Sequence, residues 1–239
     1  MKLKSCGVTG AVRPLSTSTL CGCLLLLQTA LARAQPVHYE TIKGKIRIEG
    51  TSNIDDWQVE TKSVAGHFKA EADFPGAVSG AVAEGKVPPQ TDVLVEVRSL
   101  RSIEKDGKPF SNLMDEIMHA KLKAPENPQI RYRLTNLRLN ATPKSQEEPF
   151  RFECKGELAV AGVTNQITMP INVLRMDGHR LRIWGNTALR MTDFKIEPPA
   201  PKIALGIVKT GDEVRISFEW VVAALGQGHS GEATGTLPR

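Results

Sequence analysis

The side chains that could carry catalysis are few and scattered along this 239-residue sequence. It contains no P-loop, no His-Glu-x-x-His and no Gly-x-Ser-x-Gly, the patterns that would place phosphate-binding amides, two zinc ligands or a serine nucleophile. The histidines never occur at metal-ligand spacing. They are His38, His67, His119, His179 and His229. We therefore predict no catalytic residue, no metal site and no enzymatic activity.

Two further reactive groups favour a structural interpretation. Asp55 and Asp56 lie near a predicted strand start, and neighbours on an extended chain point to opposite faces, so we interpret this acidic pair as part of a turn. Cys154 is the one cysteine outside the first 34 residues, which excludes an internal disulfide in the rest of the chain. It alternates in phase with Phe152 and Leu158, so we predict a buried apolar role for its thiol.

The first 34 residues have the pattern of a cleavable signal peptide. A basic start is followed by the apolar run 20–31 and by Ala32-Arg33-Ala34, and the run is too short to span a bilayer. We expect a periplasmic or secreted protein that begins at about Gln35 and is not an integral membrane protein. The segment holds four of the 31 basic residues and no acidic one, leaving 27 basic against 26 acidic residues. This balance argues against nucleic acid as a partner.

The dominant pattern after residue 35 is alternation of apolar and polar side chains with period two, which is typical of half-buried antiparallel strands. About eight strands follow from it, with phase slips near Val64 and Leu137 that indicate bulges. The predicted strands cover 42–49, 56–68, 93–97, 129–139, 150–160, 167–173, 181–189 and 214–222. The fold class is therefore all-β, a single antiparallel barrel domain over 38–224. Closure of the barrel would remove open sheet edges, and 225–239 has the composition of a disordered tail.

One helix interrupts the strands. Apolar residues at three- and four-residue spacing predict a helix over 111–123, with Ser111 as the N-cap and Pro125 beyond its end. His119 on this helix is interpreted as solvated or singly hydrogen-bonded. Among the tryptophans, alternation places Trp220 inside and Trp184 outside or at a barrel rim. Trp57 fits core packing and ligand contact equally well.

The segment 156–164 reads Gly-Glu-Leu-Ala-Val-Ala-Gly-Val-Thr and precedes an apolar strand over 167–173. It resembles the strand and turn "G-x-L-x-x-x-G-V-T" of the YceI-like family. Five other segments resemble that family in the same order and spacing, so the resemblance runs over roughly 40–222. These segments are 95–97, 112–114, 127–132, 190–196 and 212–216.

The resemblance implies a lipocalin-like barrel with its short helix near the mouth and an apolar tunnel for an isoprenoid lipid or a quinone, with no required cofactor. The chain departs from the family where many members carry a histidine after the first strand, since it has Gly50 to Asn53 there, and where Ile117 and Met118 replace phenylalanines. The candidate ligand-contacting residues are Trp57, Val93, Val95, Val97, Leu113, Ile117, Phe152, Cys154, Met169, Ile171, Ile183 and Phe218.

Two functional hypotheses remain open at this point. A packed core and a lipid-lined lumen require the same inward apolar residue types. The first hypothesis is an exported, non-catalytic carrier of a long apolar chain. The second is a structural or protein-interaction module with a solid core and no ligand. A homodimer stays open under either hypothesis.

Overall fold

This computed structural model describes residues 35–76, 89–176, 179–203 and 206–225. Within these residues the alternating sequence forms twelve strands. The predicted signal peptide, and the predicted tail from residue 226 onward, lie outside the described residues. The strands are β1 (Val37–Ser52), β2 (Trp57–Thr61), β3 (Val64–Ala70), β4 (Gln90–Glu96), β5 (Arg101–Ile103), β6 (Gln129–Ala141), β7 (Phe150–Val160), β8 (Val163–Arg175), β9 (Arg180–Arg190), β10 (Lys202–Ile203), β11 (Gly206–Ile207) and β12 (Thr210–Ala224).

Eight of these strands close into an antiparallel barrel, which confirms the predicted fold class. The strand order is β12-β9-β8-β7-β6-β4-β3-β1, and pairing of β1 with β12 closes the ring. β1 is long enough to pair with β12 from Tyr39 to Ser52 while its other edge pairs first with β3 and then with β2. β2 and β5 are additional strands that extend the sheet at one end. β10 and β11 form a separate hairpin.

The strand predicted over 56–68 is two strands. β2 ends at Thr61 and β3 begins at Val64, and the Thr61 hydroxyl accepts a hydrogen bond from the Ser63 amide at 3.0 Å, which fixes the bend at the predicted phase slip. The second predicted irregularity corresponds to a register shift between Leu134 and Asn136 in β6. β5 was not predicted, because three residues are too few to show a period.

The helix α1 (Asn112–Lys121) begins as predicted, and Ser111 caps it by accepting a hydrogen bond from the Met114 amide at 3.4 Å. Its attachment to the barrel is polar. Asp115 Oδ1 accepts from the Ser102 amide at 2.6 Å, and His119 Nε2 lies 3.0 Å from the Leu100 carbonyl oxygen. Both side chains are buried, so His119 is singly hydrogen-bonded in the described structure and not solvated.

Candidate functional site

The inward faces of the barrel strands enclose a cavity of about 940 Å³. Well-packed protein interiors contain few voids larger than a water molecule, whereas ligand-binding pockets occupy roughly 300–1,000 Å³. The cavity lies at the upper end of that range. Much of its wall is formed by aliphatic and sulfur-containing side chains from strands all round the barrel. Among them are Ile48, Val95, Leu134, Met169, Ile183 and Ile216.

Aromatic rings pack together at one end of the cavity, here called the closed end. Phe68 and Phe74 line the cavity there, with ring centroids 5.0 Å apart and edge to face. Phe74 in turn stacks on Phe152 at 5.9 Å. The Arg175 guanidinium donates to the Phe74 carbonyl oxygen at 2.7 and 3.1 Å, which fixes the 71–76 turn across this end. The barrel is therefore filled by side chains at the closed end and hollow above it.

The opposite end, here called the mouth, is formed by the loop 53–56, the segment 103–111, α1 and the 3₁₀ turn Met191–Phe194 with the residues that follow it. Leu113 and Ile117 of α1 line the cavity from one side, and Phe194 and Ile196 line it from the other. Apart from Glu219 of β12, the charged residues in the lining, which include Asp55, Lys105 and Arg190, belong to this end. The site is thus an apolar tunnel with a polar rim, suited to an amphipathic molecule whose chain enters first.

Trp57 marks the transition from rim to tunnel. Its indole lies flat against Gly50, where a Cβ would come within 2.2 Å of the ring, so only glycine at position 50 permits this position of the ring. The indole Nε1 donates to the Thr51 carbonyl oxygen at 3.2 Å. The side chain lines the cavity, so of the two interpretations left open for Trp57, its placement favours ligand contact.

Ten of the twelve residues proposed from the sequence line the cavity, and their contact with a ligand stays a prediction. They are Trp57, Val93, Val95, Leu113, Ile117, Cys154, Met169, Ile171, Ile183 and Phe218. Val97 and Phe152 are buried, 1% exposed each, but lie outside the lining. Val97 begins a 3₁₀ turn and its amide donates to the Pro128 carbonyl at 2.8 Å, whereas Phe152 belongs to the aromatic packing at the closed end.

Several lining residues were not proposed from the sequence. Phe194 and Ile196 belong to the segment 190–196, which resembles the family. Their place in that segment is the sequence feature that could have identified them. Ile54 and Phe110 line the mouth but lie in turns, where no periodicity indicates direction. Tyr132 lies on the inward face of β6, and alternation could have identified it.

A polar pair interrupts the apolar wall at mid-depth. The Tyr132 hydroxyl lies 2.8 Å from Cys154 Sγ, and both groups line the cavity. Burial raises the pKa of the Cys154 thiol to about 11, although the hydrogen bond with Tyr132 opposes the shift. Burial, and then the proximity of Cys154, raise the pKa of the Tyr132 hydroxyl above its ordinary range. Each group is therefore neutral at physiological pH and satisfies the other.

Cys154 should react slowly with thiol reagents in the folded protein. Its pKa lies about two units above the ordinary value of 9.0, so ionisation alone should slow iodoacetamide alkylation about 100-fold at pH 8 relative to the unfolded chain, because only the thiolate reacts. The neutral thiol stabilises the fold below pH 9, and that contribution is lost as the pH rises towards 11. Mass spectrometry of quenched aliquots measures the rate, and equal rates in buffer and in urea would contradict the assignment.

In the residues that the structure describes, no group of three or more His, Cys, Asp or Glu side chains is arranged to hold a metal ion. Within the same residues, no helix has the length and apolarity needed to cross a bilayer.

Solved structures share this architecture at low sequence identity. The crystal structure of Burkholderia cenocepacia BcnA superposes with a TM-score of 0.51 at 15% identity, covering 74% of this chain and 95% of that one. The structure of a polyisoprenoid binding domain from Saccharophagus degradans, implicated in plant cell wall breakdown, superposes with a TM-score of 0.55 at 9% identity, covering 78% and 98%. At these identities the likeness concerns the fold alone.

A search of curated protein sequences finds no significant match. The model of the YceI-like domain family, in contrast, matches residues 35–222. That range covers every strand of the barrel described above, from β1 almost to the end of β12. The order of the motifs, the closed eight-stranded barrel and the family match agree, and the chain belongs to the YceI-like domain family.

Proposed function

We propose that this protein is an exported, non-catalytic carrier that holds an isoprenoid lipid, a quinone or a similar long apolar chain inside its barrel. The observation that carries the proposal is the cavity of about 940 Å³, apolar along its depth and polar at its rim. The Saccharophagus degradans domain of the same fold is described as polyisoprenoid-binding. For this chain the isoprenoid or quinone class comes from the resemblance to the family, and the apolar cavity wall supports a long apolar chain in general.

The tunnel dimensions fit an extended chain. From Ile183 to Leu189, the first and last residues of the inward face of β9 that line the cavity, the strand rises by about 20 Å at roughly 3.3 Å per residue. A strand tilt of about 40° reduces this to a depth of about 15 Å along the barrel axis. Burial of apolar area contributes about 25 cal/mol per Å², so a chain of this length would be held chiefly by the hydrophobic effect.

The alternative of a solid interaction module is disfavoured by the same cavity. A packed barrel would place side chains across the axis at mid-depth, as the closed end does with Phe68, Phe74 and Phe152. Elsewhere in the barrel Val93, Val95 and Ile183 line the cavity and do not fill it. Apolar cavities of this kind remain dry or take up apolar guests, which supports the carrier function.

The proposal also includes export. Residues 1–34 would act as a signal peptide that is removed before Gln35, and the protein would function in the periplasm or outside the cell. The pattern that supports this is the basic start, the short apolar run and the small-x-small sequence that ends at Ala34. A carrier of this type would act where lipids must cross an aqueous space.

Titration with a short-tailed benzoquinone in vesicle-free buffer tests binding. Trp57 and Trp220 both line the cavity, and quinones quench indole fluorescence on close approach. We expect a saturable decrease in emission at one quinone per protein. Trp184 lies outside the cavity lining, with the Arg182 guanidinium 4.9 Å from its ring. Trp184→Phe should therefore show the same quinone-induced loss of emission intensity as the wild type, whereas Trp57→Phe should show a smaller loss. A linear, non-saturating response would overturn the proposal.

A further inference from the structure

Large apolar side chains are exposed around the mouth. Of the six exposed large apolar residues in the described structure, three line the cavity entrance: Ile54, Phe110 and Leu113, each 55–60% exposed. They come from three different segments, the loop before β2, the segment before α1 and the first turn of α1 itself. Apolar side chains that stay in water do not contribute the stabilisation that burial would give. A cluster of such exposed side chains marks an interaction surface. We refer to these three side chains as the rim patch.

The rim patch is held outward by its backbone. The amides of Ile54 and Asp55 donate to the Ser52 hydroxyl at 3.2 and 3.1 Å, which fixes the loop that carries Ile54. The Phe110 amide donates to the Ser102 carbonyl at 2.9 Å. Leu113 is the second residue of α1, two positions after the Ser111 cap. Local hydrogen bonds therefore present each of the three side chains to solvent.

The charges beside the rim patch show no excess of basic residues, since the mouth segments 53–56 and 103–111 contain Asp55, Asp56, Glu104, Lys105, Asp106 and Lys108. Lys105 Nζ lies 3.5 Å from Asp55 Oδ1, and Lys121 Nζ lies 3.0 Å from Glu197 Oε2. A surface that adsorbs to anionic headgroups presents an excess of Lys and Arg. Paired charges around protruding apolar side chains suit a surface with no net charge, into which the apolar groups insert.

We propose that the rim patch docks the mouth of the barrel onto a neutral lipid surface, so that an apolar chain passes between bilayer and cavity without crossing water. The inference rests on the proposed carrier function. The rim patch is continuous with the cavity, because Ile54, Phe110 and Leu113 are both exposed to solvent and part of the cavity lining. Insertion of the patch would bring the apolar tunnel into direct contact with the acyl region.

Flotation with phosphatidylcholine vesicles tests this docking. We expect the wild-type protein to float with the vesicles at both low and high salt. The triple substitution Ile54→Ser, Phe110→Ser and Leu113→Ser should weaken vesicle binding at least about tenfold, because the burial of three apolar side chains is lost. Circular dichroism and the melting temperature verify that this variant is folded.

A matched control uses the other three exposed apolar residues, which lie away from the mouth. Ile42 is in the first half of β1, Met176 follows β8, and Leu225 follows β12, at the end of the barrel opposite α1. The triple substitution Ile42→Ser, Met176→Ser and Leu225→Ser should leave vesicle binding unchanged. An equal loss in the control and the rim variant would overturn the proposal.

Three other results would also overturn it. The first is a wild-type protein that stays unbound, and the second is binding only to anionic vesicles that salt abolishes. The third is a wild-type dimer in lipid-free buffer that the rim substitutions split, since the patch would then contact a second copy of the chain. The quinone titration contains no vesicles and reports on the cavity alone. Its success alongside failed flotation would refute the docking and leave the carrier function standing.

Discussion

Val95→Phe should lower the affinity for the benzoquinone at least about tenfold while leaving the melting temperature close to that of the wild type. Val95 lies on β4 between Val64 and Ile130 of the neighbouring strands, and its side chain lines the cavity. The added ring would enter the space that a ligand chain needs. In a close-packed core the same substitution costs about 1–3 kcal/mol through strain, which would lower the melting temperature by several degrees.

Leu94→Phe is the matched control for this substitution. Leu94 is the preceding residue on β4 and faces away from the cavity lining, so the larger ring should change neither affinity nor melting temperature. Quinone titration and thermal denaturation on the same preparations measure both quantities. A clearly destabilised Val95→Phe protein with wild-type affinity would show that the interior at Val95 is packed.

Phe152→Ala should lower the free energy of unfolding by about 3–5 kcal/mol, the cost of truncating a fully buried phenylalanine. Phe152 is 1% exposed and stacks on Phe74 at 5.9 Å and on Phe150 at 6.4 Å. Its removal would leave a hole in the packing that closes this end of the barrel. Urea denaturation followed by far-ultraviolet circular dichroism measures the change.

Phe150→Ala provides the comparison, because Phe150 is the neighbouring aromatic residue of β7 and is only partly buried. We expect Phe150→Ala to lower the free energy of unfolding clearly less than Phe152→Ala does. Near-equal, small losses for both variants would contradict a packed closed end. The pair Val95 and Phe152 thus separates the two regions of one barrel: addition of a ring is tolerated where the barrel is hollow, and removal of a ring is costly where it is filled.

Most of the barrel could be predicted from alternation, because each strand has one face inward and one outward. The runs in β7, β9 and β12 keep their phase over nine residues or more. The short strands β5, β10 and β11 were missed, since two or three residues cannot show a period and are ordered by their pairing partners.

The attachment of the helix could not be predicted from its apolar spacing. That spacing identified α1 correctly, but it is held by the hydrogen bond that Asp115 accepts from the Ser102 amide of β5 and by the hydrogen bond between His119 and the Leu100 carbonyl. Its apolar residues Leu113 and Ile117 consequently face the cavity entrance. The spacing of apolar residues along a helix does not specify which face of that helix contacts the neighbouring strand.

The distinction between core and cavity also lies beyond the sequence. Phe152 and Cys154 are two residues apart on the same face of β7, yet only Cys154 lines the cavity. What separates them is depth along the barrel axis, which depends on strand register and on the Phe74 turn that closes one end. Whether a side chain points into the barrel depends on its own strand, whereas its depth along the barrel axis depends on the register of all the strands.

The measurement that tests the central claim most directly is organic extraction of natively purified protein followed by mass spectrometry, with wild type and Val95→Phe compared at equal protein concentration. The account predicts about one long-chain apolar lipid per wild-type barrel and little or none from Val95→Phe. Wild-type protein that yields no lipid, or equal amounts of lipid from both proteins, would contradict a ligand held inside the barrel.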